Sequence, residues 1–596
     1  MRRVRAFVAL CMVLGVLATG CDLGTNPTAT PVAPAAATPT PDIVSMTEVL
    51  TPPTPTALPA AATPEATPQA QATAPAAGTQ SGVDIGATVT AILNPPTSTP
   101  VPTNTPDVKV ADSANSVITE SLLVEINAAQ WMQDSLTISP DLRHIGYISA
   151  YGARFIVIHD ATTSPDYVGI LENSLTFSPD SKRFAFGAIK GPRQLVVVDS
   201  VEGGKYASIE VGLAFSPDSK HVAHGAKQVG EGGMELIVVD GKEQKKYGSI
   251  VRGSLLFSPD SSSLAYVASH DVITPSTATT ATMTATANTP VPVHKKFVVM
   301  HDMSKGTDTE TSEYENILEG SMAFSPDGKR LAYVINVGDN LAVVADGKEG
   351  KEYTGLGKIA PLFSHDSKHI VYLAQENGKQ FLVVDGKEGK PYDSIGGVPV
   401  FSPDDSLLAY AAKSGGNWMI VMDDLKGNTR EGKQYPLIGS TLLFSPDGKT
   451  LAYVAGTGSK QFLVMEDMNG AVKEGTQYDG IGRGTVVFTK DSKRYAYVAG
   501  LNGKQFAVVD GQEGKQYDGI GRNSLVFSPD GKHVAYAVSS GDKQFVVLDG
   551  QEGKQYDIAG KGGVAFDAAD LFHYLTVINN LDLKLGRTFV VEHRIK

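Results

Sequence analysis

Cysteine is nearly missing from this chain: Cys11 and Cys21 are the only two in 596 residues. Cys11 lies inside an apolar leader, so a processed chain keeps one thiol, and a disulfide framework is excluded. Positive charge is also short. With 64 acidic residues against 51 basic ones the net charge is −13. No Lys/Arg cluster interleaves with aromatics, which excludes the basic field that nucleic acid requires. The only long apolar run, residues 6–17 (AFVALCMVLGVL), is too short for a permanent transmembrane helix. No helical periodicity of useful length follows it. The sequence has no H-E-x-x-H, C-x-x-C, G-x-S-x-G or G-x-x-x-x-G-K-[ST], so the common zinc, redox, serine-hydrolase and nucleotide signatures are absent.

What the chain does have is repetition. Residues 504–532 read KQFAVVDGQEGKQYDGIGRNSLVFSPDGK, and close copies start at Lys379 and Lys543. The aromatic or aliphatic position before the Ser-Pro-Asp turn recurs at Ile138, Phe177, Phe215, Phe257, Phe324, Phe363, Phe401, Phe444, Phe488, Phe527 and Phe566. Most steps are 38 or 39 residues, three are 42 to 44, and one is 67. The long step contains a Thr/Ala-rich insertion, 271–292, in the fourth repeat, which is expected to be a disordered loop.

Each copy reads as four short strands. SLVFS (524–528) stops at Pro529-Asp530-Gly531, where Pro fixes φ and Gly permits a positive one. HVAYAV (533–538) and QFVVL (544–548) follow, the latter ending at Asp549-Gly550, a strong hairpin signal. The fourth strand is placed around Tyr517–Ile520. Three of these runs are apolar on successive residues, the pattern of strands covered on both faces.

Four strands per ~40 residues, stacked face to face, describe a β-propeller blade. The motif F-S-P-D-G-K-x-x-A-Y at Phe324–Tyr333 and Phe444–Tyr453 resembles the WD40-like PD40 repeats of TolB-type propellers. The resemblance runs from about residue 118 to the end, without the Trp-Asp dipeptide or Gly-His start of eukaryotic WD40 repeats. It implies an all-β propeller of about eleven blades and, for function, a protein-interaction module. Because single propellers usually hold four to eight blades, two packed rings are expected in preference to one large one. The last copy, from Val564 to Arg594, supplies three strands. The segment before Ile138, with its run VITESLLVEIN, is expected to supply the fourth and close the circle.

Ahead of the repeats, residues 1–21 resemble a lipoprotein signal. Arg2, Arg3 and Arg5 precede the apolar run, and Leu17-Ala18-Thr19-Gly20-Cys21 resembles a lipobox, making Cys21 the expected lipid attachment site. Residues 22–106, rich in Thr, Pro and Ala, read as a disordered tether before a 107–596 propeller region.

A site needs one constellation whereas a scaffold needs many copies, so breaks in the repeat are the candidate binding positions. His365 replaces Pro in F-S-H-D-S, Lys490 replaces it in F-T-K-D-S, and Trp418 stands where other copies carry Gln461, Gln505 and Gln544. His221 and His224 fall in the third copy; His224 reads as a packed core residue. The recurring Asp180, Asp218, Asp260, Asp327, Asp447 and Asp530 read as turn-fixing residues rather than metal ligands. Gly480-Ile481-Gly482 and Gly519-Ile520-Gly521 read as turns. No catalytic residue, metal or cofactor is expected. The reading is a membrane-anchored scaffold of the cell envelope, extracytoplasmic, which binds an envelope protein or a glycan and no nucleic acid. A propeller lyase or hydrolase acting on extracellular polysaccharide is the alternative.

Overall fold

The computed structural model describes residues 108–596 apart from 113–115, 128, 133–134, 231–232, 271–294, 358–359 and 581–584, together with the two-residue strand Val49–Leu50. The signal segment and the 271–292 insertion lie outside the described residues. So does the tether except for Val49–Leu50, which pairs with Leu356 and Gly357.

The described chain is all β. It forms eleven sheets: residues 137–163 (blade 1), 169–202 (2), 208–247 (3), 249–310 (4), 323–353 (5), 355–388 (6), 394–431 (7), 437–474 (8), 480–513 (9), 519–552 (10) and 558–595 (11). Blade 10 shows the plan. Strand a is split into Gly519–Ile520 and Val526–Phe527. Strand b is Val534–Ser540, strand c Lys543–Leu548 and strand d Gln551–Glu552, each pairing antiparallel with the next. The sequence reading misplaces one strand. Tyr517–Ile520 does not end a blade but opens the inner strand of the next, and the outer strand is the Gln-Glu pair after the Asp-Gly turn. A two-residue strand carries too few residues for any alternation to be visible in the sequence.

The turns follow from backbone chemistry. Asp549 and Gly550 have φ of 49° and 79°, and Asp510 and Gly511 have 52° and 82°. Positive φ at both central residues is the type I′ geometry whose twist matches the flanking strands, hence Asp-Gly. After Ser-Pro-Asp the next residue is also left-handed, as in Ser219 (65°) and Gly531 (73°), which explains the alternation of Ser and Gly there.

Strand b explains the apolar runs. In blade 10, Val534, Tyr536 and Val538 pack with Ala496 and Val498 of blade 9, whereas Ala535 and Ala537 pack with Phe572 and Tyr574 of blade 11. One residue faces backward and the next forward, so both must be apolar. The same division links each pair from blades 3 and 4 to blades 8 and 9, and strand Arg193–Val198 of blade 2 lies against Ser208–Phe215 of blade 3. Blade 11 then packs Leu575 and Val577 against Ile145 and Tyr147 of blade 1, and blade 1 packs Val157 against Phe184 of blade 2.

The interfaces therefore trace one circuit of eleven blades, and the expectation of two rings is corrected. A second ring would need a blade with one face withdrawn from its sequence neighbour. Instead each blade gives one apolar face to the blade before it and the other to the blade after. Inner strands of neighbours meet closely: a Cβ at Gly397 of blade 7 would lie 3.3 Å from the Ser440 carbonyl of blade 8.

Closure follows the expectation. Ser116–Asn127 pairs antiparallel with Leu585–Ile595 from Ser116–Ile595 to Asn127–Leu585, and Val108–Asp112 adds a further strand outside it. The borrowed strand also carries the repeat's outer-strand glutamate in register. In repeated blades a Lys and a Tyr of one linker both donate to a Glu of the next blade: Lys390 (2.6 Å) and Tyr392 (2.9 Å) to Glu431, and Lys433 and Tyr435 (both 2.7 Å) to Glu474. At the seam Lys554 (2.6 Å) and Tyr556 (2.5 Å) donate to Glu120. Glu120 is buried at 6% side-chain exposure, against 40% for Glu388 in the matching Lys351 pair.

Removing a buried member of such a pair costs on the order of 3 kcal/mol, and an exposed one under about 1. Glu120→Ala should therefore speed hydrogen exchange in residues 586–595 about a hundredfold, while Glu388→Ala leaves blade 6 nearly unchanged. Equal effects at the two positions would show that the seam is held by strand pairing alone.

Candidate functional site

The repeated polar residues hold blades together. In each Ser-Pro-Asp turn the Asp carboxylate takes the preceding Ser hydroxyl and a backbone amide two residues on. For Asp180 these are Ser178 Oγ (2.7 Å) and Lys182 N (3.2 Å); for Asp530 they are Ser528 Oγ (2.7 Å) and Lys532 N (3.2 Å). Those bonds lower their pKa, Asp530 to about 2 with Ser528 as the largest cause. The Asp backbone amide reaches the next blade: Asp180 N donates to Ser219 Oγ and Asp327 N to Ser367 Oγ, each at 3.0 Å. The turn-fixing role read from the sequence is what the geometry shows.

The Asp that opens the turn after strand c, Asp-Gly in several blades and Asp199-Ser200 in blade 2, works with the residue before strand b. Arg183 Nε donates to Asp199 (2.8 Å), its Nη1 to the Lys220 carbonyl of blade 3 (2.7 Å), and its guanidinium lies 5.2 Å from the Phe215 ring centre. In other blades the position is a histidine, whose Nδ1 lies 2.7 Å from the carboxylate in His221–Asp240 and 2.6 Å in His369–Asp385 and His533–Asp549. The glutamine that starts strand c is a third latch, accepting from the next blade's strand a: Gln505 Oε1 from Ile520 N (2.8 Å) and Gln461 Oε1 from Ile481 N (2.9 Å). The recurrence of this glutamine is visible in the sequence, but its latching role is not, because the amide it accepts from lies 15 or 20 residues on in the next blade.

Against this background the three predicted binding residues separate, and the fold brings no two of them together. Trp418 is 6% exposed and fills the space between blades 7 and 8 with Tyr435, Phe462 and Ile438. Its ring lies over Gly396, where a Cβ would come within 2.7 Å, and Lys413 Nζ stands 5.7 Å from its centre. It occupies the latch position by bulk instead of by a hydrogen bond. Lys490 is an exposed turn residue of blade 9. His365 is exposed and belongs to a reciprocal exchange. Blade 7 has Asp405 where other blades have the latching Ser, and Asp405 accepts from His365 N (3.0 Å) and Asp366 N (2.7 Å) while lying 2.7 Å from His365 Nδ1. A proline at 365 could give neither the amide nor the imidazole. His224 is a packed residue, as expected: 7% exposed, edge-on to Tyr206 at 5.9 Å, its position filled by Tyr in most other blades.

The central edge is not uniform. Arg252, Arg483, Arg522 and Lys561 occupy matching positions in the inner segment of blades 4, 9, 10 and 11. A depression of about 60 Å³ lies between Arg522, Gln544 and Lys561. That is well below the roughly 300–1,000 Å³ of a small-molecule site.

Exposed large apolar side chains are more telling. Among the described residues they are Met132, Tyr151, Val168, Val201 and Val229, all within blades 1–3 and their connections. Four of the five lie where strand b meets strand c. Tyr151 ends the strand b of blade 1, and Val229 follows that of blade 3. Val168 N donates to the Ile189 carbonyl and Met132 N to the Ile148 carbonyl, both near the same ends.

No family model matches the chain, and no curated protein matches it. Solved structures do. A crystal structure of the eukaryotic initiation factor is 14% identical with a TM-score of 0.35, covering 61% of this chain and 94% of that one. TolB from Acinetobacter baumannii is 18% identical with a TM-score of 0.23, covering 44% and 76%. An oligogalacturonate lyase in complex with manganese is 14% identical with a TM-score of 0.27, covering 55% and 96%.

The buried histidines set a pH dependence. Burial pushes His224 and His593 down to about 4. The unfolded chain takes up those protons near pH 6.5 and the folded chain only near 4, so stability is lost as pH falls through that window, by about 3 kcal/mol per residue at most. The urea midpoint should drop from pH 7 to pH 4, and His224→Phe should flatten the drop. The turn aspartates act below this, their contribution fading only under about pH 4. Separately, His365→Pro and Asp405→Ser should each destabilise, while the pair restores the common latch. Additive losses in the double mutant would exclude the reciprocal exchange.

Proposed function

We propose that this chain is a lipid-anchored propeller scaffold of the cell envelope, non-catalytic, which docks a protein partner on the b–c face of blades 1–3. The observation that carries the reading is the placement of exposed apolar residues. Eleven nearly equivalent blades should scatter such residues evenly, and isolated ones need no explanation. Here they gather on three adjacent blades and mostly on one face, the pattern of a protein-binding surface. A glycan would call for a cleft lined by several stacking aromatics, whereas the exposed group holds one aromatic, Tyr151, Trp418 is buried, and the depression between blades 10 and 11 is small.

The non-catalytic part of the proposal is supported by where the ionisable groups go. The Asp, Glu, Lys, Arg and His positions of the repeat are engaged in turns and inter-blade latches, which leaves the repeat itself no spare acid–base pair. A polymer lyase or hydrolase would have to assemble its site from residues outside that pattern. The anchoring part rests on Cys21 and the charged, apolar leader ahead of it, and the Thr/Pro/Ala-rich 22–106 would serve as the tether.

A photo-crosslinking residue at Tyr151 of the full-length chain, in producing cells, should yield one discrete protein adduct, and the same residue at Lys543 in blade 10 should not. An adduct at both positions, or at neither, would overturn the docking surface; capture of polysaccharide instead would identify a glycan scaffold. Cys21→Ser should move the protein from the membrane to the soluble fraction. Retention in the membrane would refute the lipid anchor while leaving the docking surface untouched.

A further inference from the structure

We propose that His144, His159 and Asp160 of blade 1 form a binding site for a divalent transition-metal cation of the zinc class. Their candidate ligand atoms all lie within 4.8 Å of one another. Asp160 Oδ2 is the hub, 2.7 Å from His144 Nδ1 and 3.7 Å from His159 Nε2. Ligand atoms around a tetrahedral zinc at its usual 2.0–2.1 Å stand about 3.3 Å apart. The two distances bracket that value, so an ion would open one gap and close the other by about half an ångström each.

The repeat supplies its own controls. The pairs His221–Asp240, His369–Asp385 and His533–Asp549 reproduce His144–Asp160. In those blades the residue before the Asp is Val239, Val384 or Leu548. Only in blade 1 is an imidazole added to the pair. Latching a turn does not require it, since the other blades latch without it.

His159 is also built in as a ligand would be. Its ring stacks on Phe184 of blade 2 at 4.7 Å and 17° and meets Phe177 at 5.3 Å, which fixes its orientation. Nε2 is enclosed by protein and makes no hydrogen bond among the described residues. An enclosed nitrogen without a partner is costly unless something occupies it. The outer shell is present: Ile145 N donates to Asp160 Oδ1 at 3.0 Å, leaving Oδ2 to turn inward. Asp141, whose Oδ2 is 3.9 Å from His144 Nε2, offers a further carboxylate nearby. Imidazole with carboxylate suits zinc, nickel or copper more than magnesium or calcium, which want oxygen alone.

The site lies one step from the seam. Arg143 bridges to Glu592 (2.6 Å) and Asp567 (2.7 Å) of blade 11, and His573 Nε2 is 2.6 Å from the Asp141 carbonyl. A cation that stiffens the ends of strands b and c in blade 1 would therefore reinforce ring closure.

The test is zinc titration of the full-length chain, without a histidine tag, by calorimetry, with cobalt as spectroscopic probe. The proposal expects one zinc per chain with micromolar or tighter affinity and cobalt absorption bands of histidine ligation. His159→Val installs the residue of blade 2, and His144→Arg also copies blade 2; each should weaken zinc at least tenfold, while His533→Gln should not. Because both variants borrow residues that blade 2 already tolerates, they guard against a simple folding failure, checked by circular dichroism. Zinc binding of equal strength in the wild type and both variants, or none tighter than millimolar in the wild type, would overturn the site.

Discussion

A strand that is apolar on successive residues has no face to give to water. Strand b of each blade is such a strand, with Ala535 and Ala537 turned to one neighbour and Tyr536 and Val538 to the other. Each blade therefore requires a blade on either side, and a row of them is stable only if its two ends meet. Ring closure is the condition under which the sequence can be buried at all. The borrowed strand Ser116–Asn127 and the buried Glu120 beneath it meet that condition.

The polar chemistry of the repeat is subordinate to the same requirement. The turn aspartate, the Arg that some blades carry before strand b, the glutamine that starts strand c and the Lys-x-Tyr of the linker each reach the next blade. They supply register and direction, while the apolar faces supply most of the stabilisation. This is why variation at one of these positions is answered across an interface, as Asp405 answers His365. It is also why a repeat break is a weaker sign of function than it looks. His365 and Trp418 are departures that the neighbouring blade absorbs. His159 is a departure with aromatic rings around it and a ring nitrogen that makes no hydrogen bond among the described residues.

Function in such a ring is set by what the repeat does not need. The apolar residues exposed on blades 1–3 have no counterpart among the described residues of the other blades. They give one arc of the ring a surface unlike the rest, the feature on which the proposed docking surface rests.

The sequence by itself determined the blade. The Phe-Ser-Pro-Asp spacing counted eleven units, the Asp-Gly and Ser-Pro-Asp turns followed from positive φ and proline geometry, and the three-stranded last copy announced that a strand must come from before Ile138. These are local properties, carried by residues a few positions apart. Tertiary structure decided the rest. One ring instead of two depended on whether every face found its sequence neighbour, a sum over eleven interfaces that no single stretch encodes. The outer strand was hidden in two residues, too few to show a period. Trp418 became filler because Gly396, 22 positions earlier, leaves the space its ring occupies. His159, unremarkable in the sequence, gained its meaning from Phe184 of the next blade and from His144 across the hairpin.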